Sequence, residues 1–163
     1  MKKVYIGQDN GVTSTIGILQ EDKAAQFIST PVFKSQDYTK AKKNVTRLDV
    51  EEYYKILSEY SDKTKYQTLL LLERPLVNPT RFNATASALR CHEAMLVCIE
   101  LLQIPYRFID SKEWQKYLFP KGTEDTKKMS LEIGNRYFPE FKNEKHPDRD
   151  GLLIALYAKH HNL

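Results

Sequence analysis

The segment Tyr66–Leu72 closes on four consecutive leucines and then meets Glu73. An apolar run of strand length is expected for a strand covered on both faces, the arrangement of a layered α/β fold. The rest of the chain agrees with that frame. Val4-Tyr5-Ile6 reads as a strand running into the turn sequence Gly7-Gln8-Asp9-Asn10-Gly11. Thr13 to Leu19 is alternating and β-branched, and Ala25 to Phe33 reads as a third strand. Short connections between these three predict an antiparallel meander. Asp49 and Glu52 suit a capping box for a helix running to about Tyr60. Pro75 and Pro79 interrupt the chain, after which Thr80 to Gln103 is helical in pattern. Pro105 to Ile109 predicts another strand, and Ser111–Leu118 and Thr126–Tyr137 predict helices. His146-Pro147 would open a last helix, with Leu152, Leu153, Ala155 and Leu156 on its buried face. The order predicts an α/β fold with a mixed five-stranded sheet flanked by helices. A chain of 163 residues suits one domain over 1–163.

Composition narrows the class. No apolar run approaches the ~18 residues needed to span a bilayer. Met1-Lys2-Lys3 leads into a strand pattern and not into a signal-peptide core. Cys91 and Cys98 lie seven apart in a helical segment, so their Cα atoms stand ~10 Å apart, too far for a disulfide. Two buried structural thiols and a cytoplasmic location follow as expectations. Lys plus Arg total 25 against 21 acids, a net charge of +4, which permits a nucleic-acid partner without arguing for one.

Three carboxylate positions stand out. Asp9 lies where a strand enters a glycine-containing turn, a place that also suits an aspartate satisfying local backbone donors. Glu73 ends the leucine run, at the carboxyl end of a buried strand, where α/β sheets bind ligands. A surface glutamate paired with Arg74 is the simpler alternative. In His146-Pro147-Asp148-Arg149-Asp150-Gly151, Asp148 fits a first-turn acid that favours the helix dipole. Asp150 abuts the apolar run that follows, an awkward place for an unpaired charge. If these acids converge they repel, by ~4 kcal/mol for a pair 4 Å apart at an effective dielectric of ~20. Divalent cations reverse that penalty, and oxygen ligands select Mg²⁺ or Mn²⁺ over zinc. Two such ions ~4 Å apart suit phosphodiester hydrolysis.

Ile6-Gly7-Gln8-Asp9-Asn10-Gly11, Leu71-Leu72-Glu73-Arg74-Pro75 and Arg149-Asp150-Gly151-Leu152-Leu153-Ile154-Ala155 resemble, in order, the three acidic motifs of the RuvC-type Holliday-junction resolvases. That family belongs to the RNase H-like superfamily. The stretch Ile104 to Pro139, with Ser111-Lys112-Glu113-Trp114, Lys121-Gly122 and Lys127-Lys128, is similar as well. The short length and variant motifs look most like a phage or prophage member. The resemblance implies an RNase H-like fold and a Mg²⁺- or Mn²⁺-dependent endonuclease with two ions per site. It implies Asp9, Glu73 and Asp150 as metal ligands. The family carries an acid or a histidine three residues before the last Asp, where this chain has Pro147. Asp148 and His146 both stand open for that role. It also implies a branched DNA substrate, a homodimer, and Phe82 as either a junction-wedging aromatic or a core residue of its helix. The small and apolar face of helix 80–103 is a candidate interface, and burial of that face on the chain's own sheet is the alternative.

Positive residues cluster in Lys34 to Arg47 and in Lys112 to Lys128. Lys112, Lys116, Lys121, Lys127 and Lys128 are candidates for phosphate contacts, since phosphate neutralisation dominates DNA affinity. Three rivals remain at the sequence level: a nuclease for RNA–DNA hybrids or flaps, a DNA-binding module that has lost cleavage, and a small regulatory α/β domain. The last would leave Asp9, Glu73 and Asp150 more than ~10 Å apart, too far to share ions ~4 Å apart.

Overall fold

A computed structural model describes residues 1–163. Its main sheet has five strands in the order β3-β2-β1-β6-β7. β1 (Lys2–Gln8), β2 (Thr15–Gln20) and β3 (Gln26–Ser29) form the antiparallel meander. β6 (Tyr66–Glu73) pairs parallel to β1, and β7 (Tyr106–Ile109) parallel to β6. β6 is therefore a central strand, as its leucine run requires.

Alternation along the strands divides the core between the two sheet faces. Val4, Ile6, Leu70 and Leu72 pack with Met95, Cys98 and Ile99 of α2 (Phe82–Leu101) and with Tyr53 and Leu57 of α1 (Val50–Ser58). Tyr5 and Leu71 pack on the other face, with Trp114 of α3 (Ser111–Leu118), Ile133 of α4 (Thr126–Tyr137) and the apolar run of α5 (Asp150–His160). Each fully buried Leu or Ile contributes about 1.5–3 kcal/mol. No helix is long and apolar enough to cross a membrane. Cys91 and Cys98 are buried free thiols, and burial pushes Cys91 up to about 11.

Three boundaries differ from the sequence expectation. The predicted third strand, 25–33, stops at Ser29. Pro31 lacks the N–H a ladder needs, and the chain resumes as β4 (Val32–Gln36), which pairs with β5 (Asn44–Leu48) in a separate ribbon. The basic stretch 34–47 is thus a hairpin. Asp49 does cap α1, accepting from the Glu52 amide at 3.1 Å, but that helix ends at Ser58. The last helix begins at Asp150 and not at His146-Pro147. Arg149 is the reason. It is fully buried, and its guanidinium donates to the carbonyls of Phe141, Glu144, His146 and Asp148 at 2.8–3.1 Å. The segment 141–148 thus wraps around a cation.

α5 can lie directly on the sheet because glycines face it. A Cβ on Gly151 would stand 2.6 Å from the Thr15 carbonyl oxygen, and Gly7 and Gly17 meet the same helix from below. This close approach brings the start of α5 to the carboxyl end of β1.

Candidate active site

β1 and β6 run side by side, with Gln8 paired to Leu72. The next residues, Asp9 and Glu73, are consequently neighbours at one sheet end. The Asp9 amide donates to the Thr15 carbonyl at 3.2 Å, holding the strand direction through the first turn residue. Gln8 is fully buried below it, and its Nε2 donates to the Asp9 carbonyl at 2.6 Å.

Asp150 arrives from the opposite side. The Gly151 amide donates to Thr15 Oγ1 at 3.0 Å, tying the first turn of α5 to β2. Ser130 Oγ donates to Asp150 Oδ1 and accepts from the Arg149 amide at 3.0 Å. Asp148 Oδ1 accepts from the Asp150 amide at 3.3 Å. Because the helix starts only at Asp150, no helical turn separates the two acids. One carboxylate oxygen each from Asp9, Asp148 and Asp150 lies within 4.8 Å of the others. Glu73 adjoins them beside Asp9, close enough that each carboxyl shifts the other's titration. The four acids come from three separate stretches of chain: one strand end, a second strand end, and the loop-to-helix junction that carries both Asp148 and Asp150.

The charges are costly as they stand. Burial first, and then the neighbouring Glu73 charge, hold the Asp9 carboxyl well above its ordinary range. Burial raises Glu73 to about 7, with the Asp150 and Asp148 charges adding to it and hydrogen bonding to Asp9 opposing. Burial raises Asp150 to about 8, with Asp148 and Asp9 adding and Ser130 and Lys127 opposing. The Trp114 indole N–H is buried without a partner at normal hydrogen-bond geometry, yet lies close enough to Glu73 to favour its charged form. An all-oxygen set of crowded, buried carboxylates fits hard divalent ions. Asp9, Glu73, Asp148 and Asp150 are the residues that could hold them.

Other sequence candidates fall into place around this cluster. His146 stands behind Asp148. Its Nε2 is 3.0 Å from the Thr13 carbonyl, and its Nδ1 is 3.4 Å from both the Asp148 amide and Asp148 Oδ1. Arg74 pairs with Asp110 at 3.0 Å and leaves Glu73 to the site. Lys112, Lys116 and Lys121 line an open cavity of about 440 Å³ with Thr123 and Thr126. Lys127, in the first turn of α4, is near enough to Asp150 to lower its pKa. Lys128 is exposed and 4.0 Å from Glu132. Phe82 is exposed, so it is not a core residue of α2.

The sequence reading missed Ser130, Arg149, Gln8 and Trp114. Only Arg149 left a signal, an arginine between two acids beside an apolar run. Ser130 and Trp114 depend on contacts more than 15 residues away, and Gln8 on burial that its turn sequence does not announce.

No protein-family model matches this chain, and neither does any curated protein. Solved structures do. RuvC of Thermus thermophilus in complex with a Holliday junction substrate superposes with a TM-score of 0.62 over 98% of this chain and 94% of that one, at 17% identity. The chain has the RuvC fold. A second Thermus thermophilus RuvC structure matches at a TM-score of 0.54 and 18% identity, covering 99% of this chain and 97% of its own. In this chain the RuvC fold places the acid cluster at the carboxyl ends of its two central parallel strands.

Proposed function

We propose that the protein is a divalent-metal-dependent endonuclease that cuts branched DNA, with four-way junctions as the first substrate. The observation that carries this reading is the meeting of Asp9, Asp148 and Asp150 beside Glu73 in a RuvC fold. Asp9, Glu73, Asp148 and Asp150 would hold Mg²⁺ or Mn²⁺, with room in the donor set for two ions. When bound, such ions lower the pKa of water and stabilise charge on a leaving phosphodiester oxygen. The chain's own residues do the positioning. Glu73 and Asp9 are fixed by paired strands, and Ser130 and the Asp150 amide orient Asp150 and Asp148. His146, engaged on both nitrogens, backs Asp148 and keeps its carboxylate turned inward. Asp148 takes the place of the fourth acid, and His146 that of its support. Lys112, Lys116 and Lys121 supply a phosphate-binding wall, and Lys127 faces the acids.

Exposed Leu89, Val97 and Leu101 on α2 support a homodimer built on that helix. A two-fold pair suits two symmetric cuts.

The test is cleavage of a labelled four-way junction, a linear duplex of the same length and an RNA–DNA hybrid, with and without Mg²⁺. Paired nicks near the branch point, absent from the duplex and lost in Asp9→Asn and Glu73→Gln, are the expected result. Preferential cutting of the hybrid would replace the substrate class, and cleavage surviving both substitutions would overturn the site.

A further inference from the structure

The β4–β5 ribbon is a separate two-stranded sheet, and the acid cluster does not use it. Its placement is nonetheless tied to that cluster. β3 runs toward the site end of the sheet, where Ser29 pairs with Thr15, the residue whose carbonyl accepts from the Asp9 amide. Thr30 follows, with its hydroxyl 2.8 Å from Ser14 Oγ and 3.3 Å from the Gln8 amide nitrogen. β4 starts two residues later, so the ribbon leaves the sheet at the same end as the carboxylates. Its root is anchored by buried Leu48 and by the Asp49 amide donating to the Pro31 carbonyl at 2.9 Å. Five residues per strand at ~3.3 Å each reach ~16 Å before the tip at 37–43.

The ribbon is strongly one-signed. Lys34, Lys40, Lys42, Lys43 and Arg47 are exposed, and none takes part in an ion pair. The single acid, Asp37, is consumed at the tip, accepting from the Thr39 amide at 3.1 Å and the Thr39 hydroxyl at 2.7 Å. Tyr38 stands beside these lysines, 95% exposed. Two-stranded ribbons are marginal by themselves, and five like charges weaken this one further. A polyanion that neutralises the charges would relieve that. An exposed aromatic among cations is the pairing that nucleic acid rewards, through phosphate contact and base stacking.

We propose that the β4–β5 ribbon is a second DNA-binding arm, seated by its lysines and Arg47 on backbone phosphates beside the cleavage site, with Tyr38 stacking on an unpaired base at the branch. The proposal rests on the DNA reading above. The experiment compares Lys40→Gln/Lys42→Gln/Lys43→Gln with Lys2→Gln/Lys23→Gln/Lys63→Gln, a charge-matched control at the opposite sheet end. Affinity for the four-way junction and for linear duplex is measured across a salt series without divalent metal. At ~0.9 per phosphate contact, the tip variant is expected to lower the slope of log affinity against log salt by about 2–3. The control keeps the wild-type slope, and replacing the three tip lysines by Arg restores it. Tyr38→Ala is expected to weaken junction binding more than duplex binding. An unchanged slope in the tip variant, or an equal change in the control, overturns the arm while leaving the nuclease reading intact. A wild-type protein that binds no DNA overturns both. Loss of binding to anionic phospholipid vesicles with an unchanged DNA slope would make the ribbon a membrane contact instead.

Discussion

Asp9 and Glu73 sit at the ends of hydrogen-bonded parallel strands, whereas Asp148 and Asp150 sit where a loop becomes a helix. The first pair is positioned by the sheet: once Gln8 and Leu72 are in register, the residues after them are neighbours. The second pair is positioned by a buried cation. Arg149 gathers four carbonyls and the Asn135 side chain, stacks over Phe27 at 4.9 Å, and so delays the helix until Asp150. One half of the site is thus set by backbone pairing that many side chains share, and the other by one residue's hydrogen bonds. The two halves are expected to fail differently when broken.

Removing one acid from each half has the largest expected effect. Asp9→Asn and Asp150→Asn should each lower junction cleavage by about 10³-fold or more, since a lost metal ligand removes several kcal/mol of charge stabilisation at ~1.4 kcal/mol per decade. Metal-free thermal unfolding should show no loss of stability in either variant, because each replaces a crowded carboxyl whose charged form burial disfavours with a neutral amide of the same shape. Arg149→Ala comes next and should separate the halves. Orphaning its carbonyl partners is expected to cost about 3–4 kcal/mol in denaturant unfolding. Cleavage should fall with it, and Arg149→Lys should restore neither property, because an ammonium cannot reach the spread of acceptors.

The pH response is smaller and has a defined sign. Glu73 and Asp150 ionise at about 7 and about 8 in the folded protein against ordinary values of 4.5 and 3.8. The folded state then holds protons that the unfolded chain releases. Their contribution to metal-free stability is therefore complete below about pH 4 and is lost as pH rises through 7 and 8. Thermal melts in chelator should fall between pH 5 and pH 9, and Mg²⁺ should recover more stability at pH 8 than at pH 5. Ser130→Ala is the mildest change. It removes one hydrogen bond to each of Arg149 and Asp150, with an expected cost of about 1–2 kcal/mol and a measurable drop in metal affinity.

The strand-borne half was legible in the sequence, and the helix-borne half was only partly so. Four leucines before Glu73 mark a buried strand, and Asp9 follows a β-alternating triplet into a turn, so local pattern alone puts both acids at strand ends. Asp150 was legible from the apolar run behind it. Asp148 was not separable from His146, because that choice turns on where α5 begins. Helical phase from a start at Pro147 swings Asp148 away from Asp150. The actual start is decided by Arg149 reaching back to Phe141 and Glu144 and by Gly134 leaving room for its side chain. The ribbon was hidden for a similar reason. Pro31 breaks a strand that otherwise reads as continuous, and the partner of β4 lies beyond a seven-residue charged tip.

In the proposed function these two differently built halves meet around divalent cations. Calorimetric titration of Mn²⁺ into the wild-type protein and into Glu73→Gln and Asp148→Asn, one variant from each half, tests it directly. The wild-type protein should bind Mn²⁺ in the micromolar to millimolar range, and both variants should lose most of that affinity while melting as folded proteins. Wild-type protein that takes up no Mn²⁺, or binding that survives both substitutions, would contradict the account.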